Sequence, residues 1–451
     1  MRDNRDKIDF ATEPVGRLFK KMFFPTLVSM ISMVVLNITD GAFVGHGVGS
    51  DALAAVNIVA PIFMLISGMG LMYGIGSSVV ASIHLSKSNQ KAAHINLTQG
   101  LLAGLVTGII LAAAILVFLK ETCYLFGCSE ALLPQATSYL RWIAFLSPFN
   151  MLGMIGMFAV RLDGSPRFAM VVNCCIALCN IILDYIFVFP LHMGLEGAAI
   201  ATTISFILGN IPIAIYLFAY TRNIKLYRLR ATWKSLYLTL RNIGYQIKIG
   251  FSAFLGEIAL AAIMILGNYV FMHYLGEDGV AAFSVGCYCF PIVFMLGNAI
   301  IQSVQPIISF AYGMGNEERL RKSRNIALKA SVLSGLAGWL VMGLGGGIIS
   351  TTFLDPRCHA YAICCEGMPY FSIAFLFISV NIVLVGYLQS TEKTRQATLF
   401  TLLRGFVFSI PCFVLLPLVA VPEGIWLALP LAEALTTTVI LIQHRSSFFH
   451  A

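Results

Sequence analysis

The sequence predicts an all-α integral membrane protein of twelve transmembrane helices, arranged as two six-helix bundles related by a parallel internal repeat. Three observations carry that expectation. Hydrophobic residues fill 58% of the 451 positions and charged residues only 11%, against about 25% charged in an average soluble chain. Most of this surface therefore cannot face water. The apolar residues fall into twelve long continuous runs, unlike the alternating ~10-residue strands of an outer-membrane barrel. The second half of the chain also echoes the first at a fixed offset.

A hydrocarbon core about 30 Å thick takes about 20 apolar residues to cross as a helix. The runs lie near 22–45, 53–83, 95–119, 132–160, 168–190 and 197–220, then 249–274, 280–312, 325–353, 361–389, 397–419 and 424–443. Several exceed the minimum, which implies tilt or ends that project into water. The first run is too long for a cleavable signal peptide and is followed directly by another.

Net charge is +8, which in a soluble chain would invite a nucleic-acid partner. Its distribution excludes that partner. Counting the spans alternately from a cytoplasmic N-terminus leaves 25 of the 29 Lys and Arg inside, from Arg2, Arg5 and Lys7 through Arg230 to Arg445. Outside lie Lys120, Arg141 and Arg357, with Arg404 inside a span. Loop cations gather on the cytoplasmic side of membrane proteins, so the basic excess is topological. Both termini are expected in the cytoplasm and the chain in the cell (inner) membrane.

Most of the eleven cysteines lie within spans, where Cys behaves as a small hydrophobe. Cys123 and Cys128 share an outer loop and are candidates for a bridge. The eight histidines form no His-x-x-x-His pair, so zinc chemistry has no support. No span carries a catalytic motif, and no cofactor is expected.

A shift of 227 residues lays Gly49–Val56 on Gly276–Phe283, Asn89 on Asn316, and Glu196-Gly197 on Glu423-Gly424. It also lays Gly100, Gly104 and Gly108 on Ala327, Ser331 and Gly335. Small residues at every fourth position let helix backbones approach closely. Chance explains any one of these matches but not four at one offset. Six spans per half is an even number, so both halves enter the membrane in the same sense. The division expected is a first lobe at 1–220, a basic cytoplasmic linker at 221–241 and a second lobe at 242–451, with a central cavity between the lobes. Such parallel repeats suit transport by alternating access. A single chain built this way is expected to work as a monomer.

Charge within a bilayer is expensive and marks ion or substrate pathways. Asp40 in the first span lies roughly 10–13 Å below its outer end, and Asp184 in the fifth roughly 9 Å below the same surface, at 1.5 Å per residue. Asn37 and Asn180 precede these acids by one helical turn, and the sixth span brings Thr202 and Thr203 to similar depth. Oxygen ligands suit a hard cation, so Asp40, Asn180, Asp184 and Thr202 form a candidate Na⁺ or H⁺ site. Asn37, Asn150 and Glu257 are further candidates. Two acids at one depth, with no base in their spans, are expected to share a proton or a cation and to titrate as a unit. Pro25 shares the first span with Asp40, which couples ion binding to a possible bend.

The second half does not copy these acids, since the same shift puts Gly267 and Pro411 in their places. Its own charges within spans are Glu257, Arg404 and Glu433, with Glu366 near an outer end. Arg404 is expected to pair with Glu433 or Glu257.

The stretches Val35–Ile62, Gly279–Asn316, Arg161–Asn173 and Glu423–Thr436 resemble, in order and spacing, the multidrug and toxic compound extrusion (MATE) family. The likeness runs from about Arg17 to Arg445. It implies a V-shaped pair of six-helix bundles exporting small organic compounds, often cationic or amphipathic, against inward Na⁺ or H⁺ flow. In one prokaryotic branch the family's first-lobe site maps onto Asp40, Asn180, Asp184 and Thr202. A second-lobe Glu of other relatives maps onto Glu257, but the deep Asp they carry in the tenth span is missing here. The nearest alternative is a flippase for lipid-linked precursors, which shares the architecture and would be favoured by a cavity lined with cations.

The orientation is open to a direct test. Single cysteines at Ser50, Ser129, Asn223 and Asn316, in a folded background lacking other reactive thiols, should label differently in intact cells with an impermeant maleimide. The first two should react. Strong labelling at Asn223 would reverse the topology.

Overall fold

A helix crossing lipid satisfies its backbone internally, and the sequence supplies the apolar lengths for it. The computed structural model describes residues 8–229 and 232–443, which form helices and connecting turns with no strand among them. The cations Arg2, Arg5, Lys7, Arg230 and Arg445 lie outside the described residues. In the first half run α1 (Val15–Gly47), α2 (Ser50–Ser86), α3 (Gln90–Val117), the short α4 (Leu119–Leu125), α5 (Leu133–Leu162), α6 (Pro166–Val188) and α7 (Gly194–Ile215). A π-helical turn, Tyr216–Tyr220, extends α7. The second half holds α8 (Trp233–Gly313), α9 (Glu317–Phe353), α10 (His359–Ser372), α11 (Ala374–Ser390), α12 (Thr394–Leu402), α13 (Ser409–Val419) and α14 (Glu423–Gln443).

Among the described residues ten helices are long and apolar enough to cross a membrane, with α12 and α13 joined through a π-helical turn into one. The 81-residue α8 is non-helical at Gly276 (φ 66°, ψ −158°) and so supplies two spans, with the break between the expected runs 249–274 and 280–312. The pair α10 and α11, bent by 42°, supplies one more. Six spans per half result, as the sequence predicts.

The backbone repeats as well as the sequence. Gly49 (φ 119°) opens α2, and its partner Gly276 breaks α8 in the same left-handed half of the map. Ser88 (φ 58°) and Gly315 (φ 67°) occupy equivalent turns before α3 and α9, and Gly164 (φ 86°) corresponds within one residue to Glu392 (φ 57°). Positive φ reverses a chain sharply where an L-residue helix would continue, so each half turns at the same junctions.

Among the described residues, contacts gather into two compact units, Met1–Glu257 with Ser309–Glu317 and Ile258–Ile308 with Glu318–Ala451. In the first, α1 lies along α6, α2 along α5, and α3 packs on both α2 and α5, while α7 covers α5 and α6. The glycine row of α3 explains the tightest of these contacts. A Cβ on Gly100 would stand 2.7 Å from Cβ of Ser77, and one on Gly108 would stand 2.5 Å from Cα of Pro148. One on Gly104 would strike Cδ1 of Ile155.

At the C-terminal end of α5 the buried Asp163 collects a converging set of donors. The backbone N–H groups of Arg222, Asn223 and Ile224 reach its carboxylate at 2.7–3.1 Å, and the Tyr216 hydroxyl donates to it at 2.6 Å. The Tyr227 N–H donates to Thr98 Oγ1 at 2.9 Å. Further on, Gln99 and Gln246 bond across to Thr239 and Asn96 at 2.8 Å. The chain leaving α7 is thus bonded onto α3 and α5. The second unit is centred on aromatics: Phe271 stacks on Phe283 at 4.4 Å and meets Trp426 edge-on at 4.7 Å.

The Gly108 contact is with backbone, which has little room to yield. Gly108→Leu should therefore destabilise the protein by about 1–3 kcal/mol, the usual range for overpacking, read as a lower melting temperature in detergent. A well-folded Gly108→Leu with unchanged melting would show that the α3–α5 approach is looser than described.

Candidate functional site

Helices α1 and α6 are zipped along their length. Toward the N-terminal ends of both helices the Asn173 amide donates to Ser29 Oγ, and Ser32 Oγ lies 3.1 Å from Cys174 Sγ. At their C-terminal ends the Phe43 ring packs on Tyr185 and Phe189 at 6.4 and 5.7 Å. Between these fixings Asp40 and Asp184 face each other, close enough to hydrogen-bond when one of them carries a proton. As two carboxylates they have no donor to share. Neither oxygen of Asp184 has a partner among the described residues, nor does the buried Oδ1 of Asp40.

Asn180, one turn before Asp184 on α6, donates its amide to Thr202 Oγ1 on α7 at 3.2 Å. That bond turns the Asn180 carbonyl oxygen inward, where it too is buried without a donor. Asn180 and Asp184 are fully buried, and Thr202 is nearly so. The structure thus brings Asp40, Asn180, Asp184 and Thr202 together as the sequence anticipates. The cluster offers oxygens and contains no base, and its one amide donor, that of Asn180, is bonded to Thr202 Oγ1 and also lies close to Asp184. Buried polar groups of a folded protein are normally paired. Such a cluster suits a hard cation or a shared proton, and its residues fit that ligand type.

The other candidates fall elsewhere. Asn37 is exposed on α1. Asn150 is buried in α5 with its carbonyl oxygen unpaired, about 16 Å along the helix from Tyr139 at 1.5 Å per residue. Glu257 is half-buried and packs against α2, where a Cβ on Gly68 would lie 3.3 Å from its own Cβ. No hydrogen bond or ion pair reaches Glu257 among the described residues. Tyr139 on α5 was not anticipated: its buried ring lies within electrostatic range of both Asp40 and Asp184. It sits about 9 Å in from the start of α5 at 1.5 Å per residue, the depth of the acids, and that was the signal available for it.

In the second unit Arg404 pairs with Glu433, Nε to Oε1 at 2.5 Å, with the glutamate side chain only 1% exposed. Asn381 on α11 donates to the other Glu433 oxygen at 2.7 Å, and Thr437 donates to Asn381 at 2.8 Å. The guanidinium also lies 5.9 Å from the Phe294 ring. Of the two partners expected for Arg404, Glu433 is the one it has.

Twelve spans in two repeats, with two buried acids facing each other in the first, define a membrane transporter rather than an enzyme. The MatE family model matches the chain twice, over residues 25–186 and 253–415, and the chain belongs to that family. Multidrug export protein MepA of Staphylococcus aureus (strain MRSA252) is 23% identical, covering 96% of this chain and 94% of its own length. MepA of Staphylococcus haemolyticus is 25% identical over 91% and 89%. A FAD transporter of Shewanella oneidensis is 22% identical over 96% and 94%. Among solved structures, the outward-facing conformation of a multidrug resistance MATE family transporter superposes with a TM-score of 0.89 at 19% identity, covering 97% of each chain. A MATE in the bent conformation gives 0.85 at 20%, over 97% and 96%.

Removing one partner of a buried ion pair costs roughly 3–5 kcal/mol because it strands the other charge. Arg404→Met should therefore lower thermal stability sharply, and Arg404→Met/Glu433→Gln should recover most of the loss. If the double variant is as unstable as the single one, the pair's value lies in packing rather than charge.

Proposed function

We propose that this transporter is a secondary antiporter that exports small organic compounds, cationic or amphipathic, in exchange for Na⁺ or H⁺. The coupling ion is held by Asp40, Asn180, Asp184 and Thr202. What supports this most is the set of buried oxygens on Asp40, Asp184 and Asn180 that have no donor. Two facing carboxylates repel each other in a low-dielectric setting, and either a bridging proton or a bound Na⁺ relieves that repulsion. A ligand drives a conformational change only through its differential affinity for the two states. Loaded and empty forms of this cluster differ strongly in electrostatic energy, and they share helix α1 with Pro25. Loading from one side and release on the other then powers export by alternating access.

The staphylococcal relatives are multidrug export proteins, which agrees with a site that takes the driving ion rather than recognising one substrate. The protein works as a monomer in the cell (inner) membrane with both termini in the cytoplasm. That orientation rests on the distribution of Lys and Arg. Glu257, lacking a second buried acid, contributes less to coupling.

The test is gradient-driven transport in proteoliposomes, with imposed pH or Na⁺ gradients and a panel of cationic dyes alongside FAD. Asp40→Asn and Asp184→Asn should each abolish gradient-driven flux while leaving folding and substrate binding intact. Glu257→Gln should reduce it less. Normal coupling in Asp40→Asn would remove this site from the mechanism, and loss confined to Glu257→Gln would move it to the other acid.

A further inference from the structure

The end of α4 holds two thiols in a fixed relation that the transport reading does not use. α4 stops in a Schellman motif. The Cys128 N–H bonds to the Cys123 carbonyl at 3.0 Å, and the Gly127 N–H bonds to the Tyr124 carbonyl at 3.0 Å. Gly127 supplies the left-handed residue, at φ 85°. In this motif the first and last residues of the bonded turn bring their side chains into contact, usually as an apolar pair. Here both are cysteine, and both are buried, at 1% and 6% exposure. The turn between them faces outward, with Leu125 80% exposed.

We propose that Cys123 and Cys128 form a dithiol that closes to an intramolecular disulfide when it meets a small disulfide compound. The backbone bond between the two residues, 3.0 Å from the Cys128 N–H to the Cys123 carbonyl, brings their α-carbons close together, as a disulfide requires. Both are free thiols in this structure, with Cys128 Sγ 3.4 Å from the Ser129 carbonyl. Closure is a thiol–disulfide exchange. One cysteine thiolate attacks a sulfur of the disulfide compound and releases one thiolate from it. The second cysteine then attacks the mixed disulfide and releases the other. Two electrons pass to the compound, and the two cysteine protons end on its two thiols.

Burial pushes the Cys123 thiol up to about 11, with the neighbouring Cys128 adding to the effect, and burial raises Cys128 as well. Only the thiolate attacks, so the pair exchanges slowly and waits for the exposed turn to open. Cys123, Cys128 and Tyr139 belong to one buried cluster. A closed disulfide therefore stiffens the same packing that seats Tyr139 beside the candidate cation site. Meeting the reagent outside the cell rests on the orientation proposed above, whereas closure itself does not.

The experiment treats purified full-length protein with oxidised glutathione until Cys358 is fully modified, then alkylates the remaining thiols and maps peptides by mass. The expected product links Cys123 to Cys128, two hydrogens lighter and free of glutathione. Cys128→Ser should instead retain glutathione on Cys123, and Cys123→Ser should retain it on Cys128. Stable glutathione on both wild-type residues, or both still alkylated while Cys358 is modified, would overturn the proposal. Repeating the treatment on intact cells separates the two readings, since closure in purified protein but not in cells faults only the orientation.

Discussion

Asp40 and Asp184, pressed together between two parallel helices with no base beside them, set the terms on which the first bundle is built. Burying one unpaired charge costs several kcal/mol, and two facing charges cost more. The helices must be held together by other means while the acids push them apart. The Asn173–Ser29 bond, the Ser32–Cys174 contact and the rings of Phe43, Tyr185 and Phe189 do that. They lie above and below the acids rather than among them. The pair is left without compensation from the protein, which is the basis of the coupling site proposed above.

In the second unit two of the equivalent helices, the eleventh and twelfth spans, are used to the opposite effect. Its tenth, eleventh and twelfth spans carry Asn381, Arg404 and Glu433, and there the carboxylate has a guanidinium on one oxygen and an amide on the other. Buried polar networks of this kind hold an arrangement once every member is satisfied. The duplicated scaffold has kept its turns at Gly49 and Gly276 while its interior chemistry has diverged. One copy keeps buried carboxylate oxygens without hydrogen bonds and the other is closed by an internal ion pair.

Much of this was legible in the sequence because lipid imposes simple rules. Span lengths, the break near Gly276 and the shared depth of Asp40 and Asp184 followed from 1.5 Å per residue and from where polarity interrupts apolar runs. Tyr139 escaped notice because the depth rule was applied to acids alone. Asn37 shows the reverse failure: its spacing from Asp40 is right, yet the face it occupies is exposed, and spacing does not say which flank of a helix its neighbours will cover. Arg404 had two acids within plausible reach in sequence, and only tertiary packing selects Glu433. The Asp163 cluster was invisible for a different reason. Its donors are backbone N–H groups, which every sequence has.

That last cluster bears on how the chain between α7 and α8 stores length. Its backbone is fixed at Arg222–Ile224 by Asp163 and again at Tyr227 by Thr98. From Tyr227 to Thr232, where α8 is capped, the chain can reach at most about 18 Å even fully extended. Removing or adding residues between Ile224 and Tyr227 would be felt at both anchor points. Mechanically, the residues from Arg222 to Tyr227 belong to the bundle they leave and not to a free tether.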